Sequence, residues 1–195
     1  ANMRGVGMKP EPSSFVVANS DLELKLSNTT MKIIGQVELN GVSLSLDWHE
    51  NFVSGQGFRR RYILSGALEV DDLERLSLPK LPFIGGGSEI DLILTRFGNG
   101  RSEVLVSGDL NEAVISIPYI GWLKPAGRPG NFRMGIMVAV DGTFKVESLN
   151  VTAEDLKNVG KIGLGGAAGQ KWRADFAKFK FGKTDIAGSV DQFSD

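Results

Sequence analysis

Apolar residues recur at every second position through most of this chain, in runs that stop at Asn-Gly, Asp-Gly or Gly-Asn-Gly. A period of two sends alternate side chains to opposite faces of an extended strand, so such runs specify sheets with one dry and one wet face. Leu22, Leu24 and Leu26 alternate with Asp21, Glu23 and Lys25. Thr30 to Leu39 reads as a second strand, with Gly35 inside it as a bulge or a point of close approach. Asn40-Gly41 is a hairpin signal, because both residues tolerate positive φ, and Val42, Leu44, Leu46 and Trp48 return on one face.

The same logic carries on down the chain. After a polar connection from His49 to Gly57, Tyr62, Leu64, Leu68 and Val70 share one face. Asp71-Asp72 predicts the cap of a short helical turn through Leu76, closed by Pro79 and Pro82. Gly85 to Gly87 lead into Ile90, Leu92 and Leu94, and Gly98-Asn99-Gly100 turns the chain back through Arg101 to Ser107. Phe132, Met134, Ile136, Val138 and Val140 alternate without a break, Asp141-Gly142 turns, and Phe144 and Val146 continue. Thr152 with Asp155 three residues on predicts a second capped helix ending near Gly160, with Leu156 and Val159 facing inward. Trp172 to Phe181 and Thr184 to Val190 are strand-like. A glycine, one residue, then Leu or Val recurs at Gly35, Gly66, Gly108 and Gly188, at irregular spacing, which points to a meander of similar hairpins.

These readings add up to an all-β fold, a strongly curved antiparallel sheet of about ten strands with two short helices. Residues 1–20 read as a loose lead-in and 21–195 as a single β-rich domain. The start, ANMRG, and the strand-like end lead us to expect a segment of a longer protein.

Composition narrows the chemistry. A net charge of −1 supplies no global field to draw the chain to nucleic acid or an anionic membrane. Arg59 to Arg61 is the one basic cluster and reads as a solvated strand entrance. Cysteine is absent and His49 is the single histidine, so thiol chemistry, thiolate metal sites and a Ser-His-Asp triad lack parts. No apolar run approaches the roughly 18 residues that span a bilayer. Gly163 to Ala168 satisfies G-x-G-x-x-G/A, but alternating Trp172, Ala174 and Phe176 follow where a dinucleotide site needs a helix. Gly85 to Gly87 lack the Lys-Ser or Lys-Thr of a P-loop. Glu89 and Asp91 could be paired glycosidase carboxylates or a solvated outer face. Trp48, Trp122 and Trp172 could be sugar platforms or packing aromatics. No catalytic residue, metal site or cofactor is expected.

The stretch Ser107 to Gly127 is the most distinctive. It reads as a strand end, a turn from Asp109 to Glu112, and a period-two run at Ala113, Ile115 and Ile117. Pro118 stops that run, and a punctuated loop carries Gly121-Trp122-Leu123-Lys124-Pro125-Ala126-Gly127. With Gly108-Asp109-Leu110 and Ile115 to Pro118, it resembles the middle region of the large AsmA-like envelope proteins of Gram-negative bacteria. The likeness is to the YhdP type carrying the DUF3971 region, of the bridge-like lipid-transfer superfamily. Leu39-Asn40-Gly41, Asp47 to Glu50, Ser65 to Leu68 and Leu76 to Pro79 are similar to that family in the same order. The resemblance implies that the sheet forms an open groove or partial barrel: a periplasmic, non-catalytic β-groove, anchored in the inner membrane by a helix outside this segment, that conducts phospholipid toward the outer membrane. Its partners would be phospholipid acyl chains, the rest of the same long chain and other envelope proteins.

An acyl groove needs a continuous apolar face, since a bare buried charge costs many kcal/mol. Leu22, Leu24, Leu26, Leu44, Leu46, Leu92, Leu94, Ile136 and Val138 are the candidate lipid-binding residues. Trp122 and Lys124 are the candidate rim or partner contacts. The same leucines could equally pack a closed core, so a carbohydrate-binding β-sandwich and a structural module of an envelope scaffold stay open beside the lipid groove.

Overall fold

The computed structural model describes residues 2–8, 16–76, 84–117, 121–153, 156–164 and 170–193. Twelve strands form one sheet: β1 (Asn2–Met8), β2 (Val17–Leu26), β3 (Thr30–Leu39), β4 (Val42–Asn51), β5 (Arg60–Glu69), β7 (Gly87–Arg96), β8 (Ser102–Asp109), β11 (Gly130–Val138), β12 (Phe144–Ala153), β13 (Leu156–Leu164), β14 (Gln170–Phe181) and β15 (Thr184–Phe193). They pair antiparallel in chain order, and the sheet is not closed into a barrel. A small second sheet joins β6 (Ile84–Gly85), β9 (Val114–Ile117) and β10 (Trp122–Lys124). One helix, α1 (Val70–Arg75), follows β5.

Turn chemistry sets the hairpins. Asn40 and Gly41 both take positive φ, 50° and 83°, which matches the twist of the flanking strands β3 and β4. In the β11–β12 turn the Asp141 carboxylate accepts from Thr143 N at 2.9 Å and Thr143 Oγ1 at 2.7 Å, which holds its carboxyl below the ordinary carboxylate range.

Three expectations are corrected. The N-terminal lead-in contains a strand, β1, paired with β2, because Arg4 and Val6 find register opposite Asp21 and Ser20. The second helix is not formed: β12 runs to Ala153, β13 starts at Leu156 opposite it, and β14 pairs with β13 on its far side. A ladder on both sides outweighs the one capping signal at Thr152. The first helix is present, but its N-cap is Glu69, two residues before Asp71, with the Asp72 carboxylate accepting from Glu69 N at 2.9 Å. Pro79 and Pro82 lie outside the described residues.

Bulges keep the apolar residues in phase. In β2, two residues, Asn19 and Ser20, stand opposite Val37 alone, and Asn19 takes φ 46°. The extra residue brings Val17 and Leu22 to the same face despite their odd spacing. In β12 a bulge at Glu147 does the same for Val146 and Leu149.

Candidate functional site

The register turns these runs into rows that cross the sheet. One row passes through Leu22, Gly35, Leu46, Leu64, Leu92, Val106, Met134 and Leu149. The next passes through Leu24, Ile33, Trp48, Tyr62, Leu94, Val104, Ile136 and Val146. Neither row holds an ionisable group other than Tyr62. All nine expected lipid-binding residues fall on this one face. Leu24, Leu46, Leu92, Leu94, Ile136 and Val138 are half-buried and Leu26 is exposed. Leu22 and Leu44 differ, being buried in a cluster with Ile33, Val37, Val42 and Leu76.

The opposite face is polar along its matching row, Asp21, Gln36, Ser45, Ser65, Asp91, Ser107, Arg133 and Asn150. Glu89 and Asp91 sit there, exposed, beside a recess of about 460 Å³, with Asp91 accepting from Ser65 Oγ at 2.6 Å. That is the solvated outer face of the two readings for this carboxylate pair. One apolar row interrupts this face, Ile63, Ile93 and Leu105.

The apolar face is covered at one end. Leu76, just past α1, packs into the first cluster, and Asn40 Nδ2 donates to Arg75 O at 2.8 Å, tying the helix to the β3–β4 turn. Beside it, the small sheet brings Ile115 and Trp122 against Leu110, Ala113, Ala153 and Leu156. Trp122 and Lys124, expected at the rim, are instead 6% and 1% exposed. Residues 122–124 form a strand antiparallel to β9 rather than a loop, and that pairing turns both side chains inward. The Lys124 ammonium donates to the carbonyls of Ala113 at 2.9 Å, Pro125 at 3.2 Å and Asn111 at 3.4 Å. Three acceptors use all three of its protons, which is how a cation is kept inside. Being packed, Trp122 offers no sugar platform.

The other end carries the charge that the sequence reading left out. Glu50 and Arg60 continue the apolar phases of β4 and β5, and Arg60 Nη2 and Nε donate to Glu50 at 2.6 and 3.0 Å. This bond holds the Arg60 guanidinium above its ordinary pKa, against the opposing effect of burial. Arg60 lies 5.7 Å from the ring of Trp48, which stacks at 5.2 Å on Tyr62. Burial pushes the Tyr62 phenol up, and Arg60 works against it. The Trp48 indole N–H is buried with no acceptor. Arg59, Arg60 and Arg96 line a recess of about 240 Å³, and Arg59 N donates to Arg96 O at 2.9 Å. Arg61, by contrast, points to the other face, over Phe58 at 4.2 Å. Alternation along β5 therefore separates Arg60 from Arg61, and Arg59, just before the strand, lines the recess with Arg60. The signal was in the sequence: Glu50 and Arg96 fall two residues past Trp48 and Leu94, in phase with the apolar positions.

His49 rests edge-on against Phe58 at 5.4 Å, a surface packing role. Gly165 to Gly169 lie outside the described residues, and strand β14 follows them. Among the described residues no three potential metal ligands converge, and no helix is long and apolar enough to cross a membrane. The chain matches no known family model, no curated protein and no solved structure.

Proposed function

We propose that this chain is a non-catalytic, periplasmic segment of the AsmA-like type. In this reading its apolar face takes phospholipid acyl chains and, with the rest of a longer chain anchored in the inner membrane, conducts them between the two membranes. One observation carries this reading: two neighbouring apolar rows, half-buried except at Leu22, Ile33 and Val146, cross eight strands of an open sheet without an aliphatic position lost to a charge. A surface of that kind marks a ligand groove or an interface. The dry clusters at the covered end favour a second reading, a structural module of an envelope scaffold, over the remaining face.

Native mass spectrometry of the purified chain, with organic extraction of what copurifies, tests the proposal. Phospholipid is expected on the parent and lost from a folded Leu46→Asp/Leu92→Asp variant, whose fold is checked by circular dichroism. Lipid retained by the folded variant contradicts the proposal.

A further inference from the structure

The strand tips at the arginine end form a continuous rim of unusual composition. Among the described residues four hairpins turn there, at residues 27–29, 52–59, 97–101 and 139–143. They touch in sequence across the sheet. Phe52 N donates to Thr29 O at 2.9 Å, Arg59 N donates to Arg96 O at 2.9 Å, and the Val140 side chain lies over Gly100.

Large apolar side chains that a folded chain normally hides stand open on this rim. Leu26, Phe52, Val53, Val140 and Phe144 are between 47% and 71% exposed. They are five of the nine exposed large apolar side chains among the described residues. Four arginines stand among them: Arg59, Arg60 and Arg96 in the recess, and Arg101 in the next tip. Within residues 26–29, 50–60, 96–101 and 138–144 the acids are Glu50, paired with Arg60, and Asp141. Among the described residues, no side-chain ion pair forms to Arg59 or Arg96. A total charge of −1 for the chain hides a local excess of positive charge here.

Exposed aliphatic and aromatic tips among unpaired arginines are complementary to one kind of surface, the boundary of an anionic bilayer. There acyl chains receive the apolar tips and lipid phosphates receive the guanidinium groups. We infer that this rim is a docking surface for an anionic phospholipid bilayer, with the recess of Arg59, Arg60 and Arg96 receiving a lipid phosphate. The docked rim would set the arginine end of the apolar face against the lipid source. The inference goes beyond acyl-chain binding by that face and stands or falls separately from it.

Cosedimentation of the full chain with vesicles tests it. One set contains equal phosphatidylglycerol and phosphatidylcholine, the other phosphatidylcholine alone. The parent is expected to bind the first set, to bind the second much more weakly, and to lose binding as salt rises. Arg59→Gln/Arg96→Gln should weaken binding about tenfold or more, at about 1 kcal/mol for each arginine near the surface. Phe52→Ser/Val53→Ser should weaken it as well. Leu123→Ser, which removes an exposed apolar side chain at the covered end, should leave binding unchanged. Because all these positions are exposed, unchanged thermal midpoints are expected and serve as the fold check. Equal binding to both vesicle sets, parental binding by the two rim variants, or equal loss in Leu123→Ser would overturn the inference. A Leu92→Asp variant that no longer copurifies with lipid but still sediments with vesicles separates the two proposals.

Discussion

Lys124 sits in a motif of glycine, proline and tryptophan that reads as an exposed corner, yet it is among the most buried side chains described. Its ammonium ties together the carbonyls of Asn111, Ala113 and Pro125, adding to the β9–β10 pairing and the Gly127 N to Asn111 O bond. Replacing it by Met keeps the length and apolar stem but removes the ammonium donor from the Ala113 and Pro125 carbonyls, while Asn111 O keeps the Gly127 N–H at 2.8 Å. Lys124→Met is expected to cost roughly 2 kcal/mol or more, read from urea unfolding. A variant as stable as the parent would mean that water or backbone relaxation replaces the ammonium. Nothing in the sequence separates this lysine from a solvated one, because the acceptors come from residues up to 13 positions away. Glu50 and Arg96 were legible by contrast, since each keeps the phase of an apolar run.

At the scale of elements, turns and strands were read well where a local rule decided them. Asn40-Gly41, Gly98 to Gly100 and Asp141-Gly142 all close hairpins, and β3 has the predicted bounds. The reading failed where pairing partners decided. The Thr152 to Asp155 pattern satisfies a helix start locally, and only the presence of β12 and β14 on either side makes residues from Leu156 on strand β13. The bulge in β12 was legible in principle, since Val146 and Leu149 break the period of two by one residue. Gly35 is a true point of close approach. It takes φ 150°, and a Cβ there would overlap the Asp21 carbonyl, which the bulge in β2 presses against it. Gly35→Ala is expected to destabilise by roughly 2 kcal/mol or more, because strain and backbone overlap add. Gly57→Ala, also at positive φ but in open space, should cost only about 1 kcal/mol. Equal costs in denaturant titrations would show that β2 yields to the new methyl group.

Over the whole molecule, the strands of the large sheet follow chain order and the chain leaves it twice, through α1 and β6 between β5 and β7 and through β9 and β10 between β8 and β11. The chain leaves β8, builds part of the small sheet over the covered end, and returns as β11 beside the strand it left. The alternation predicted an all-β antiparallel sheet, and which residues share a face follows from period and hairpin register alone; that the sheet is open is implied by the family resemblance and not by the alternation. Which end of that face is covered did not follow, because it depends on where α1 and the small sheet fold back. Two faces with apolar rows now make opposite predictions for a bound lipid. Leu92, Leu94 and Ile136 lie on the apolar face, and Ile63, Ile93 and Leu105 lie on the polar one. The most direct measurement is photo-crosslinking with a phospholipid bearing a diazirine in its acyl chain, with adducts mapped by peptide mass spectrometry. Adducts on Leu92, Leu94 or Ile136 and none on Ile63, Ile93 or Leu105 are predicted. Adducts spread equally over both sets, or their absence from the first, would contradict the account.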